Sequence, residues 1–152
     1  MNERYIRQTM IPEIGEAGQE KLKNAKVLIV GIGGLGSPIS LYLTAAGVGQ
    51  IGLIDDDIVS SSNLQRQILY TEAEIGQSKV ECACRRLSAL NSSTRFETYP
   101  NRFTSDNADR LVSTYDIIVD GCDNAATRYL IDDVCSCFKK PYVYGAISEF
   151  RG

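Results

Sequence analysis

Residues 26–36 read Lys-Val-Leu-Ile-Val-Gly-Ile-Gly-Gly-Leu-Gly, an apolar run that closes on G-x-G-x-x-G from Gly31 to Gly36. The run predicts a buried strand over Lys26–Gly31. Ser37-Pro38, a capping residue followed by a proline suited to a first turn, predicts that a helix follows and ends before Gly47. Strand, glycine turn and helix in that order form a phosphate-binding turn. Glycine lets the backbone approach the phosphates, while the helix N-terminus offers unpaired N–H groups and a partial positive charge. Asp55 closes the next strand, Gln50–Asp55, 19 positions beyond Gly36, where a carboxylate can accept hydrogen bonds from ribose hydroxyls. To this point the reading fits an NAD site and other nucleotide sites equally.

Outward from this unit, strand-like and helix-like segments alternate. Helical spacing falls at residues 13–24, 77–90, 105–113 and 124–138, and strands at 94–99, 116–120 and 141–145. Such alternation defines an α/β protein built on a parallel sheet. There is no internal repeat, low-complexity tract or flexible linker, and 152 residues make one domain.

Composition removes several functions. Sixteen basic against nineteen acidic residues leave a net charge of −3, which gives no electrostatic support for nucleic-acid binding. No apolar run approaches the ~20 residues that span a bilayer, so no membrane partner is expected. The N-terminus, MNERYIRQ, lacks the apolar core of an export signal, and a cytoplasmic protein is expected. Histidine is absent, which excludes an imidazole base, a Ser–His or Cys–His pair and a His-bound metal within this chain. The five cysteines are expected to be reduced thiols. Cys82/Cys84 and Cys135/Cys137 fall at i, i+2 in predicted helices, pointing to opposite sides, so packing is favoured over zinc.

Three further segments decide between nucleotides. Residues 55–67, DDDIVSSSNLQRQ, set an amide and a guanidinium beyond the carboxyl edge of the sheet, where open α/β sheets bind ligands. Gly76-Gln77-Ser78-Lys79 starts a helix with a lysine, which opposes the helix dipole but suits a phosphate. Asp120-Gly121-Cys122-Asp123-Asn124 follows the most hydrophobic strand and brings more carboxylate to the same edge. Arginine, lysine and aspartate converging on a glycine loop point to a triphosphate with Mg²⁺ rather than a nicotinamide.

Together, RYIRQ (4–8), GIGGLG (31–36), SNLQRQ (62–67), GQSK (76–79) and DGCDN (120–124) resemble the ubiquitin-activating-enzyme-like adenylyltransferases, and within them the ThiF, MoeB and HesA proteins. The resemblance runs the length of the chain. It implies a Rossmann-like, doubly wound, mostly parallel sheet flanked by helices, with the C-terminal part of the family fold absent after Gly152. It further implies an ATP-dependent enzyme that adenylates the C-terminal glycine of a small ubiquitin-like sulfur carrier ending in Gly-Gly. Carried over by motif, Gly31, Gly33 and Gly34 approach the nucleotide and Asp55 holds the ribose. Asn63 and Arg66 sit on the phosphates, Lys79 supports the α-phosphate, and Asp123 places Mg²⁺ with Asn124 beside it. Arg7, in an N-terminal helical segment spanning residues 1–24, is expected to reach a partner's triphosphate across a homodimer interface. Structural Zn²⁺ is implied only for the missing C-terminal region.

The acidic run Asp55–Asp57 and the RQILYTEAEIG stretch look most like ThiF, implying thiamine-thiazole synthesis, with molybdopterin synthesis as the near alternative. Two other classes stay open: an NAD(P)-linked oxidoreductase, which has no use for Arg66, Lys79 or Asp123, and a non-catalytic relative that binds a ubiquitin-like partner. The remaining polar motifs have ordinary readings. Asp56 and Asp57 read as solvated turn charges, Thr71-x-x-Glu74 as a capping box, and Cys122 as a packed thiol in preference to a pocket residue. Tyr142 and Tyr144, alternating on the last strand, can face helices or a partner.

Overall fold

The computed structural model describes residues 3–149 and 151–152. Five strands form one sheet in the order β3-β2-β1-β4-β5, namely β1 (Lys26–Val30), β2 (Gln50–Ile54), β3 (Arg95–Tyr99), β4 (Ile117–Asp120) and β5 (Tyr142–Tyr144). Every pairing is parallel, with β1 in the centre: Val30 lies opposite Ile54 on one side and Asp120 on the other. The glycine loop therefore leaves the middle of the sheet, between the two outward directions of winding, which is where doubly wound sheets open a crevice.

Helices α1 (Ile6–Thr9) and α2 (Gly15–Asn24) precede β1, and four helices connect the strands: α3 (Gly36–Ala46), α4 (Lys79–Leu90), α5 (Ser105–Thr114) and α6 (Ala125–Phe138). β1 is apolar on both sides because each face of the sheet is covered. Val27 and Ile29 pack with Val80, Ala83 and Leu87 of α4 and with Ile39 and Leu43 of α3. Leu28 and Val30, one position out of phase, pack with Leu111 and Val112 of α5 and Ile131 and Val134 of α6. The strand period of two thus divides a single sequence run between two cores.

The turn out of β1 is set by glycine. Gly31 has φ +86°, and a Cβ at Gly36 would lie 2.0 Å from the Gly31 carbonyl oxygen, so side chains at either position are incompatible with the turn. The helix begins two residues earlier than the Ser37-Pro38 signal predicts, with Leu35 as its N-cap. Ser37 N–H already donates to Gly33 O at 2.9 Å, so Ser37 sits inside the first turn and its hydroxyl caps nothing. The predicted stop is where expected: Gly47 takes φ 89° and closes α3 as its left-handed C-cap.

The capping-box expectation also holds, for Glu74 accepts from the Thr71 backbone N–H at 2.9 Å around a short 3₁₀ turn, Glu72–Glu74. The five cysteines are free thiols, and in each i, i+2 pair one member is buried (Cys82, Cys135) and the other is not, as helical geometry requires. Among the described residues no helix is long and apolar enough to cross a membrane.

Candidate active site

The carboxyl edge of the sheet opens into a cleft of about 780 Å³ lined by the loops after all five strands. Its floor is the glycine loop, held at both backbone polar groups of one residue, Ile32. Ile32 N–H donates to Asp55 Oδ2 at 2.7 Å, and Tyr70 Oη donates to Ile32 O at 2.7 Å. Asp55 Oδ1 accepts from Asp57 N–H at 2.8 Å, so this carboxylate also ties its own loop together. Burial first, and then the nearby Asp55 carboxylate, drive the Tyr70 phenol well above its usual range, so Tyr70 remains a donor.

Cations stand over this floor. Arg66 is exposed and lies over Gly34, where a Cβ would meet Arg66 Nε at 3.5 Å, and its Nη1 donates to Ser62 O at 3.2 Å. Lys79 opens α4 with a side chain only 5% exposed, and its Nζ pairs with Asp57 Oδ2 at 2.8 Å. Asp56 pairs with Arg102 at 3.1 Å, joining the loops that follow β2 and β3. These two contacts correct the reading of Asp56 and Asp57 as merely solvated: each remains exposed but is committed to a cation at the cleft. Sequence spacing has no signal for pairs 22 and 46 residues apart.

Across the cleft, the loop after β4 is organised by Asp120, which is 1% exposed. Its Oδ1 accepts from Cys122 N–H at 2.8 Å, and its Oδ2 accepts from Arg128 Nε and Tyr142 Oη, both at 2.9 Å. Arg128 also donates to Cys122 O at 2.9 Å and lies 4.6 Å from the centre of the Tyr144 ring. The two tyrosines of β5 therefore face helix α6, through Arg128, and join this network. Cys122 is half-buried: it packs against the core between β4 and α6, as its reading as a packed thiol expects, and it also lines the cleft. Burial, then the Asp120 carboxylate, push its thiol up to about 11, so it is neutral at pH 7.

The predicted residues divide clearly. Gly31, Gly33, Gly34, Asp55, Arg66, Lys79, Asp123 and Asn124 all line the cleft. Asn124 is also the N-cap of α6, its Oδ1 accepting from Thr127 N–H at 2.9 Å. Asp123 is exposed to the cleft and has no hydrogen bond or ion pair among the described residues. That leaves one carboxylate for a divalent cation shared with phosphates, a donor set that suits Mg²⁺.

Asn63 is not in the lining. Its Oδ1 accepts from Ser60 N–H at 3.3 Å, closing a capping box. Arg7 is absent from the lining too. Its neighbours anchor at the far end of α3, where Gln8 Nε2 donates to Ala46 O at 2.9 Å and Tyr5 Oη accepts from Asn91 Nδ2 at 2.8 Å. An eleven-residue helix, about 16 Å, separates that end from the glycine loop.

Fold and cleft together define a Rossmann-like α/β domain with a cation-topped glycine loop at its topological switch point. The chain belongs to the ThiF family, whose model matches residues 5–152. It is 49% identical over 99% of its length to the sulfur carrier protein adenylyltransferase of Thermus thermophilus, covering 55% of that protein. It is 48% identical over 98% of its length to the probable adenylyltransferase/sulfurtransferase MoeZ of Mycobacterium tuberculosis, covering 38% of it. Among solved structures, the ATP complex of the tRNA N6-threonylcarbamoyladenosine dehydratase TcdA of E. coli superposes with a TM-score of 0.85. The two share 28% identity, over 91% of this chain and 57% of that one. The chain thus spans about half the length, or less, of the curated relatives it matches.

Proposed function

We propose that this chain carries the nucleotide site of an ATP-dependent adenylyltransferase that activates the C-terminal glycine carboxylate of a small ubiquitin-like sulfur carrier. The observation that carries the reading is the pairing of a glycine loop with Arg66 and Lys79 at one cleft. A nicotinamide site has no need of two cations there. The names of the relatives support the same substrate class.

The chemistry suits these residues. A C-terminal carboxylate, with a reference pKa of about 3.3–3.7, is already ionised at neutral pH, so the reaction requires no general base and no histidine. A carboxylate oxygen bonds to the α-phosphorus, the bond from that phosphorus to the bridging oxygen breaks, and pyrophosphate leaves with the electron pair. The obstacle is the approach of anion to anion, worth about 1 kcal/mol at 4 Å in water and several times more in a dry site. Arg66 and Lys79 offset that repulsion, assisted by the positive end of α3. Lys79 is already ordered by Asp57, so nucleotide binding need not immobilise a free side chain.

Asp55, with both oxygens bonded once to backbone N–H groups, keeps lone pairs for the ribose hydroxyls. Asp123 would hold Mg²⁺ together with the phosphates, and the ion's part is to neutralise charge on the departing pyrophosphate.

Arg7 completes the site from a second copy of the chain. Its place beyond the far end of α3 keeps it from its own cleft, and the exposed apolar residues beside it, Ile6, Met10 and Ile11, suit a dimer contact. Arg7→Ala in an intact dimer should lower turnover, and unchanged turnover would contradict a role in trans.

Within this class, the acidic run Asp55–Asp57 and residues 66–76 favour the thiamine-thiazole branch, while the molybdopterin branch accommodates the relatives equally well. ATP–pyrophosphate exchange tests both levels. Exchange that depends on a carrier ending in Gly-Gly supports adenylation, and the carrier that sustains it selects the pathway. Absence of exchange with every such carrier, under conditions where ATP binds, contradicts the reading.

A further inference from the structure

Helix α1 is a single turn, too short to hold its shape alone, and its two sides are unlike. Tyr5 and Gln8, three positions apart and so on one side of the turn, face the protein body. Gln8 Nε2 donates to Ala46 O at 2.9 Å and to Gln19 Oε1, while Gln19 Nε2 donates to the same carbonyl at 3.1 Å. The Tyr5 hydroxyl accepts from Asn91 Nδ2 at 2.8 Å, and Asn91 donates in turn to Thr44 O at 2.9 Å. Tyr5, Gln19 and Asn91 are all buried. Both carbonyls belong to the last turn of α3, where the usual partners within a helix run out. The fit is close: a Cβ at Gly47 would lie 2.7 Å from Tyr5 Cζ and 2.8 Å from Gln19 Nε2. On the other side Ile6, Arg7 and Met10 are exposed, and Arg7 has no hydrogen bond or ion pair among the described residues.

We propose that Tyr5 and Gln8 are positioning residues of the adenylation reaction, which fix the roll of α1 on the end of α3 and with it the direction in which Arg7 leaves the subunit. The inference rests on the reading of Arg7 as acting on a partner's triphosphate, and it adds how one copy aims that side chain. Apolar packing alone would dock a short turn and leave it free to roll, because such contacts carry no direction. Hydrogen bonds are directional, and the anchors at residues 5 and 8 stand on either side of Arg7. Successive helical residues point roughly 100° apart, so a roll of that size would turn the guanidinium to where Gln8 now points. Without a partner in its own subunit, Arg7 takes its order from the backbone that carries it, and a misaimed catalytic group loses rate steeply. The anchors lie at the opposite end of α3 from the glycine loop, so their own cleft does not depend on them directly.

A double-mutant cycle tests the assignment, read as ATP–pyrophosphate exchange by the dimer with a carrier ending in Gly-Gly at saturation. Gln8→Met keeps the length of the side chain and removes both hydrogen bonds that it donates. It should lower turnover roughly tenfold, a smaller loss than that of Arg7→Ala, because the arginine is misaimed and not removed. Placed in the Arg7→Ala background it should change turnover by no more than about twofold, the coupling expected of residues that act as one. A merely structural role would lower turnover by the same factor in both backgrounds. Tyr5→Phe removes only the hydroxyl and should show the same dependence on Arg7 with a loss of a few-fold, which decides the matter if Gln8→Met does not assemble as a dimer. Turnover of the assembled variants within about twofold of wild type would overturn the proposal. So would an equal loss with and without Arg7, because the anchors would then serve the fold alone. Arg7→Ala that exchanges at the wild-type rate would overturn the reading of Arg7 in trans, and this assignment with it.

Discussion

The two walls of the cleft are built on opposite principles. On the β4–β5 side Asp120 is buried and saturated: three donors converge on its two oxygens, and Arg128 is held at both Nε and Nη2 and lies against an aromatic ring. On the glycine-loop side the polar groups are only half committed. The Gln67 side chain has no hydrogen-bond partner among the described residues, and the Arg66 side chain holds one backbone carbonyl. Asp123, at the rim beyond Asp120, is likewise without a partner among the described residues. Groups that hold the fold have spent their hydrogen-bonding capacity inside the protein. Groups that await a ligand have it left.

The largest test of this contrast is Asp120→Ala. Removing one partner of a buried, hydrogen-bonded pair leaves donors stranded and should cost about 3 kcal/mol or more of folding stability, read as a lowered urea midpoint. A loss below about 0.5 kcal/mol, the scale of an ordinary surface substitution, would show the network to be ornamental. Arg66→Ala should do the reverse: ATP affinity falls tenfold or more, on the scale of a charged hydrogen bond, while the midpoint hardly moves. A change in stability that exceeds the change in binding would erase the distinction between the walls.

Tyr70→Phe lies between the two, because it frees one carbonyl of the loop that the ligand sits on. It should cost about 1–2 kcal/mol of stability and a few-fold in nucleotide affinity. Equal affinity with lowered stability would show that the clamp on Ile32 serves folding alone.

Alkaline pH probes the saturated wall from another direction. Burial, with Asp120 next, raises the Cys122 thiol from its ordinary 9.0 to about 11, and burial does the same for Cys135 on α6. Below pH 9 both thiols are protonated in the folded and the unfolded chain. Between about pH 9 and 11 the unfolded chain releases these protons first, so stability should fall as pH rises through that window. Urea midpoints at pH 8 and pH 10 in reducing buffer measure this, and a rise would contradict it. The smallest effect belongs to Arg102→Ala, which breaks an exposed ion pair with Asp56 and should change stability by less than about 1 kcal/mol.

Much of the architecture is legible in the chain because it rests on local signals. The β1 run, the left-handed stop at Gly47 and the Thr71 capping box each need only a few adjacent residues, and the structure has each of them. The site was legible where motif and backbone coincide, as at Gly31–Gly36, Asp55, Arg66 and Lys79. It was illegible where a long-range register sets the partner. Nothing near Asp57 announces Lys79, because a long irregular connection between β2 and α4 folds back to join them, nor does anything near Asp120 announce Tyr142, because the α6 crossover lies between. Asn63 shows a motif residue with a local duty: its oxygen caps the turn at Ser60, while its amide nitrogen has no hydrogen bond among the described residues.

The central claim is that the half-committed wall receives nucleotide phosphates. Calorimetric titration of the chain with Mg·ATP and with NAD, for wild type, Arg66→Ala and Lys79→Ala, tests it most directly. The account predicts ATP binding that both substitutions weaken at least tenfold, with NAD binding weaker than ATP. NAD binding tighter than ATP and indifferent to both substitutions would contradict it, leaving a dinucleotide loop with cations that serve no ligand.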